Sequence, residues 1–98
     1  MEPKVGPNAY RVKLASAAHR DLRKIVKKIN EDQRRRIGQK IAGLSQQPRP
    51  QGAEKLTNNE EYRIRDGDYR ILYEIDDKAR LVRVGRIRDR SDIYRKRR

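Results

Sequence analysis

The chain has 98 residues, enough for one domain and too few for a second core. Only 34% of it is hydrophobic and 42% is charged, so any core must be thin, and the formal charge of +13 implies a polyanionic partner, nucleic acid or acidic protein, the alternative being a merely soluble cationic surface. With no cysteine and one histidine, His19, a disulfide framework, a thiolate metal site and a histidine zinc cluster are excluded.

Residues 1–8 hold two prolines and a glycine and read as an irregular leader. The stretch MEPKVGPNAY has no apolar signal region, and no run reaches the length of a membrane span, so the expected location is the cytoplasm. Tyr10, Val12 and Leu14 alternate with Arg11 and Lys13, a short strand with one apolar face. Ser16 stands where a helix cap would, because its hydroxyl can accept from an orphan amide. Ala18, Leu22, Ile25, Val26 and Ile29 then form one helical stripe, with His19, Arg20, Arg23, Lys24 and Lys27 outside it.

Asn30 predicts a break and a second cap, and Glu31 and Asp32 suit the positive end of a new helix. Ile37, Ile41 and Leu44 carry that helix on, until QQPRPQG (46–52) interrupts it. So short a connection predicts an antiparallel helical hairpin.

From Glu61 the period falls to two. Tyr62 and Ile64 alternate with Arg63 and Arg65, and Asp66-Gly67-Asp68 supplies a turn. Tyr69, Ile71, Tyr73 and Ile75 alternate with Arg70, Leu72 and Glu74, and Asp76-Asp77-Lys78 supplies another turn. Leu81 to Ile87 reads as a third strand with poorer alternation, and the closing RKRR (95–98) as a solvated basic tail. The expected fold is α+β: a strand, a helical hairpin, then a three-stranded antiparallel meander completing one sheet with the helices on one face.

The first turn allows two registers. Central residues Asp66-Gly67 oppose Arg63 to Arg70, whereas Gly67-Asp68 oppose Arg65 to Arg70; both keep Arg63, Arg65 and Arg70 on the face away from the tyrosines. Opposed like charges destabilise a strand pair by roughly 0.2–1 kcal/mol. Either an anion sits across these guanidinium groups, whose planar forks suit phosphate, or they form a solvated face screened by salt and by Asp66, Asp68 and Glu74. Gross charge does not locate the site, since residues 1–61 carry 14 basic and 7 acidic side chains and residues 62–98 carry 13 and 7. Eleven of those thirteen are arginine, and Tyr94 lies beyond the last strand amid Arg88, Arg90, Arg95 and Arg97.

These residues exclude cysteine catalysis and leave metal hydrolysis, a serine triad and a phosphate loop unsupported. One metal-free reaction stays open, cleavage of RNA by its own 2′-hydroxyl. The protein then needs only to align the nucleophile, stabilise charge and move protons. A tyrosine can be the base where guanidinium charge favours its phenolate; alternatively Tyr94 stacks on an unpaired base.

The segment Glu54 to Lys96 resembles the carboxy-terminal half of the RelE-type toxins of the RelE/ParE superfamily. The resemblance rests on Lys55-Leu56, on Tyr62 to Arg65, on Gly67 to Tyr73, and on Arg90 to Tyr94. It implies one RelE-like toxin domain over residues 1–98. It implies the toxin of a toxin–antitoxin pair, a metal-independent endoribonuclease cleaving messenger RNA in the ribosomal A site, without cofactor and countered by a small antitoxin protein. By position, Arg63, Arg65 and Arg70 match the basic strand residues at the scissile phosphate. Arg88 and Arg90 match a basic pair, one of which serves the leaving group, and Tyr94 matches the candidate general base. Some relatives have lysine at the positions of Arg63 and Arg65, which argues against a proton relay there. Many have histidine where this chain has Asp89, an acid that either orients Arg88 or Arg90 or weakens phosphate binding. Two rivals stand beside this reading: a ParE-like inhibitor of DNA gyrase on the same scaffold, and a non-catalytic RNA-binding protein.

Overall fold

Seven elements follow one another in the computed structural model, which describes residues 9–56 and 61–89. They are β1 (Arg11–Leu14), α1 (Ser16–Ile25), α2 (Glu31–Gly43), β2 (Glu54–Lys55), β3 (Glu61–Asp66), β4 (Tyr69–Asp76) and β5 (Leu81–Asp89). The five strands form one sheet in the order β1-β5-β4-β3-β2. β1 runs parallel to β5, and the other neighbours are antiparallel. This is the expected α+β arrangement, with β2 as an addition that two residues are too few to announce by alternation. The leader (1–8) and the tail (95–98) lie outside the described residues.

The inward phase of every long strand feeds one core. Tyr62, Ile64, Tyr69, Ile71, Tyr73, Ile75, Val82, Val84 and Ile87 are buried with Ala18 and Ile25 of α1 and Ile37 and Ile41 of α2. Tyr62 and Tyr73 stack with centroids 5.8 Å apart, and the Tyr73 hydroxyl donates to the Pro48 carbonyl at 2.8 Å. The sheet tyrosines are therefore structural, as their alternation indicates. α1 lies against β5 and β1, and α2 lies against β3.

Helix boundaries depart from expectation at both ends of α1. Ser16 is the first helical residue, and Ala15 is the cap, with extended backbone and no side-chain hydrogen bond. Ala15 is still tied to the sheet, its N–H donating to the Val84 carbonyl at 2.9 Å, so the helix cannot begin earlier. α1 ends at Ile25, four residues short of Ile29, which nonetheless packs on the core. Asn30 caps α2 as its position predicts, accepting from the Gln33 N–H at 2.8 Å, with Glu31 and Asp32 in the first turn.

Two details of the meander set the site. Asp66 pairs with Tyr69, so the turn residues are Gly67-Asp68; Gly67 takes φ +62°, which the first central position of a tight hairpin turn requires. Along β4–β5 the register slips between Leu72, opposite Arg86, and Tyr73, opposite Val84. Gly85 is the extra residue of a bulge. Hence β5 alternates poorly in sequence: Val82 and Val84 face inward in one phase and Ile87 in the other.

Candidate nucleic-acid interface

The outward phase of the same strands carries the arginines. The Gly67-Asp68 turn puts Arg65 opposite Arg70, and the bulge puts Arg70 opposite Arg88, giving a continuous row across β3, β4 and β5. Directly opposed residues lie about 5 Å apart. Arg65 is exposed, and Arg70 and Arg88 are half-buried. None of the three has an ion-pair partner among the described residues. The Arg70 Nη1 is buried with no hydrogen-bond partner there. Three positive charges side by side, one with an unmet donor, form a site that an anion would complete.

The neighbouring cations are already occupied. Arg63 stands opposite Glu54 of β2, and its Nε donates to Glu54 Oε1 at 2.8 Å. That bond holds the Glu54 carboxyl below its ordinary range, with the charges of Arg63, Arg65 and Arg70 adding to it. Arg63 shares the face with Arg65 and Arg70 as its alternation requires, but it is neutralised by an acid the meander alone does not reveal. Asp66 needs a larger revision. It is only 6% exposed, on the helix side, where Arg36 Nε reaches Oδ1 at 3.3 Å, so it does not screen the arginine face.

Arg86, which sequence reasoning does not single out, is held by Asp21 of α1. Asp21 Oδ2 accepts from Arg86 Nε at 2.8 Å and from the Ile87 N–H at 2.9 Å, and Oδ1 accepts from Arg86 Nη2 at 3.2 Å. β1 pairs with β5 only as far as Val84, so Asp21 serves the edge of β5 beyond it and ties down the segment that carries Arg88. Burial raises the Asp21 carboxyl, but the bonds from Arg86 and Ile87 and the charges of Arg86 and Arg88 outweigh it and leave it below the ordinary range. Sequence spacing cannot reveal a pair that is 65 residues apart.

Asp89 pairs with Tyr69, in the inward phase opposite to Arg88. It lines a pocket of about 130 Å³ with Lys24, Lys28 and Asp21, away from the row. Tyr73 is unsuited to act as a base, since burial pushes its phenol up to about 12. Arg90 and Tyr94 lie outside the described residues. Among the described residues no cluster of His, Asp or Glu could hold a metal ion, and no helix is long and apolar enough to cross a membrane.

A five-stranded mixed sheet with two helices is the architecture of the RelE-like toxins. Residues 12–94 match the family model described as the ParE toxin of the parDE type II toxin–antitoxin system. The chain belongs to that family, within the RelE/ParE superfamily, and is the toxin of a type II toxin–antitoxin system. Among solved structures it is similar to a chain of the toxin–antitoxin complex RelBE2 from Mycobacterium tuberculosis, at 27% identity and TM-score 0.68, covering 91% of this chain and 100% of that one. The archaeal RelE–RelB complex from Pyrococcus horikoshii OT3 shares the fold at 24% identity and TM-score 0.68, over 84% and 96%. The isolated E. coli RelE toxin shares it at 23% identity and TM-score 0.67, over 91% and 95%. No curated protein sequence matches the chain significantly.

Proposed function

We propose that this toxin is a metal-independent endoribonuclease that cleaves messenger RNA in the ribosomal A site, using the substrate's own 2′-hydroxyl and no cofactor. The observation that carries the proposal is the row Arg65–Arg70–Arg88, unneutralised among the described residues while Arg63 and Arg86 beside it are paired. In this reading Arg65 and Arg70 hold the scissile phosphate, with Arg63 recruited once it leaves Glu54. Arg70 stabilises the phosphorane, and Arg88 or Arg90 serves the leaving oxygen. Tyr94 takes the 2′-hydroxyl proton as general base, its phenolate favoured by surrounding guanidinium charge. The nucleophile attacks from the adjacent ribose, leaving a 2′,3′-cyclic phosphate and a free 5′-hydroxyl; DNA, lacking that hydroxyl, is not cut.

The partners in this reading are messenger RNA, the ribosome and a cognate antitoxin, and the site of action is the cytoplasm. The RelBE2 and archaeal RelE–RelB neighbours are toxin–antitoxin complexes, which supports the antitoxin. One observation favours a second reading, inhibition of DNA gyrase: the family model that matches is that of ParE toxins. Incubating the free toxin with translating ribosomes, and separately with gyrase and relaxed plasmid, separates the two. Messenger cleavage yielding cyclic-phosphate ends is expected. Intact messenger together with blocked supercoiling would replace our proposal with the gyrase reading.

A further inference from the structure

β2 is so short that it pairs only with Tyr62 and Arg63. From Ile64 onward no strand covers that edge of β3 among the described residues. A cavity of about 430 Å³ opens there. Its walls are Lys40 and Gly43 on the last turns of α2, the segment from Pro50 to Gly52, and Ile64 and Arg65 of β3.

We propose that this groove is a nucleobase subsite, holding the base of a nucleotide whose phosphate lies on Arg65. The inference rests on the RNA-cleaving reading above and extends it to substrate selection. Arg65 is the link, being both a wall of the groove and the β3 end of the phosphate row. An RNA strand following the row from Arg88 through Arg70 leaves the sheet past Arg65, at the edge of β3 on whose helix side the groove opens. The chemistry of the lining fits a base better than a peptide side chain. Pro50 offers apolar contact to a ring face, with the buried Ile64 as the floor, and the Gln51 amide both donates and accepts at a ring edge. Lys40 adds positive charge, and among the described residues no carboxylate lines the groove. Lys40 is also tied to this edge, its Nζ donating to the Arg65 carbonyl at 2.7 Å.

Gly43 supplies a direct test. A Cβ built on it meets nothing within 4 Å, and Gly43 lines the groove, so a side chain at this position starts in open space and Gly43→Leu is the variant that fills it. The probe is a short 2′-O-methylated RNA, which keeps bases and phosphates but cannot be cut, compared with copies carrying one abasic position stepped along the strand. Wild-type toxin should bind one abasic copy about tenfold more weakly than the intact RNA, the scale of one base contact. Gly43→Leu should bind intact RNA as weakly as that copy and no longer respond to the lesion, with its salt dependence unchanged and Gly43→Ala like wild type. Should Gly43→Leu not fold, Gln51→Ala, at an exposed position, should relax the preference among bases; equal preference before and after would reject the subsite. If Arg70→Met weakens RNA binding while Gly43→Leu does not, the subsite is wrong and the RNA reading stands. If Gly43→Leu impairs only antitoxin binding, the groove takes a peptide and the inference falls. If Arg70→Met leaves binding untouched, the RNA reading itself fails and the subsite falls with it.

Discussion

Replacing Arg70 by methionine should make the toxin more stable and a poorer RNA binder. The row places Arg70 between Arg65 and Arg88, two directly opposed like-charge pairs. Each costs roughly 0.2–1 kcal/mol, so together they cost about 0.4–2 kcal/mol. The buried, unpartnered Nη1 adds about 1 kcal/mol at the low end of the range for an unmet donor. Methionine keeps much of the aliphatic stem that packs on the strand while removing charge and donors. Allowing for imperfect packing, the gain should be about 1–2 kcal/mol, or about 5–10 °C in Tm for a domain of this size. RNA binding should move the other way, because one phosphate contact fewer lowers the slope of log K against log salt by about 0.7 for single-stranded nucleic acid. Thermal denaturation followed by far-ultraviolet circular dichroism, and fluorescence anisotropy of labelled RNA across a salt series, read the two effects. A fall in Tm with an unchanged slope would refute the reasoning, because Arg70 would then be a packed surface residue with no conflict to relieve.

Glu54→Gln removes the acid that occupies Arg63, so the toxin should gain a phosphate contact and its salt slope should steepen by about 0.7; a flatter slope in the same titration would contradict that. Asp21→Ala leaves the Ile87 N–H and the Arg86 guanidinium without their acceptor and should destabilise by about 1–3 kcal/mol in urea unfolding. Because the folded Asp21 carboxyl lies below its ordinary value, its contribution is present above the unfolded pKa of about 4 and is lost as pH falls through the folded value; the stability gap between wild type and Asp21→Asn should therefore close in acid rather than in base. Tyr94→Phe removes one hydroxyl, and cleavage on ribosomes should drop by about 100-fold or more with RNA affinity and Tm preserved; an unchanged single-turnover rate would remove Tyr94 from the chemistry.

The strands and their faces were legible because a period of two is a local signal that burial enforces: a one-residue slip of β3 would expose Tyr62 and Ile64 together. Asn30 was legible for a similar reason, since a side chain that caps its own helix announces itself within three residues. What escaped depends on distant partners. β2 has two residues and exists because Glu54 and Lys55 lie against β3. Ser16 carries the chemistry of a cap, yet the tie from Ala15 to Val84 sets where α1 begins. Within the site, the grouping of Arg63, Arg65 and Arg70 was readable from alternation, while their inequality was not. Glu54 occupies Arg63, and the Gly85 bulge carries Arg88 into line with Arg70.

That bulge also decides which residues of β5 reach the outward face. The inward phase of β3, β4 and β5 is committed to the core, and changing it costs stability. The outward phase packs little and is free to specify a target. If β5 ran through Gly85 as a regular strand, with no bulge, it would keep a single phase from Val82 onward, and position 88, like Val82 and Val84, would face inward. Arg88 would then be a buried charge and the row would end at Arg70. The bulge returns Arg88 to the outward face, and Asp21 steadies the strand beyond it. Deleting Gly85 removes the extra residue and leaves Val84 opposite Tyr73, Arg86 opposite Leu72 and Arg88 opposite Arg70 in a regular ladder, so a folded deletion variant should bind RNA with the wild-type salt slope; a flattened slope would show that alignment of Arg88 with Arg70 is not sufficient for binding.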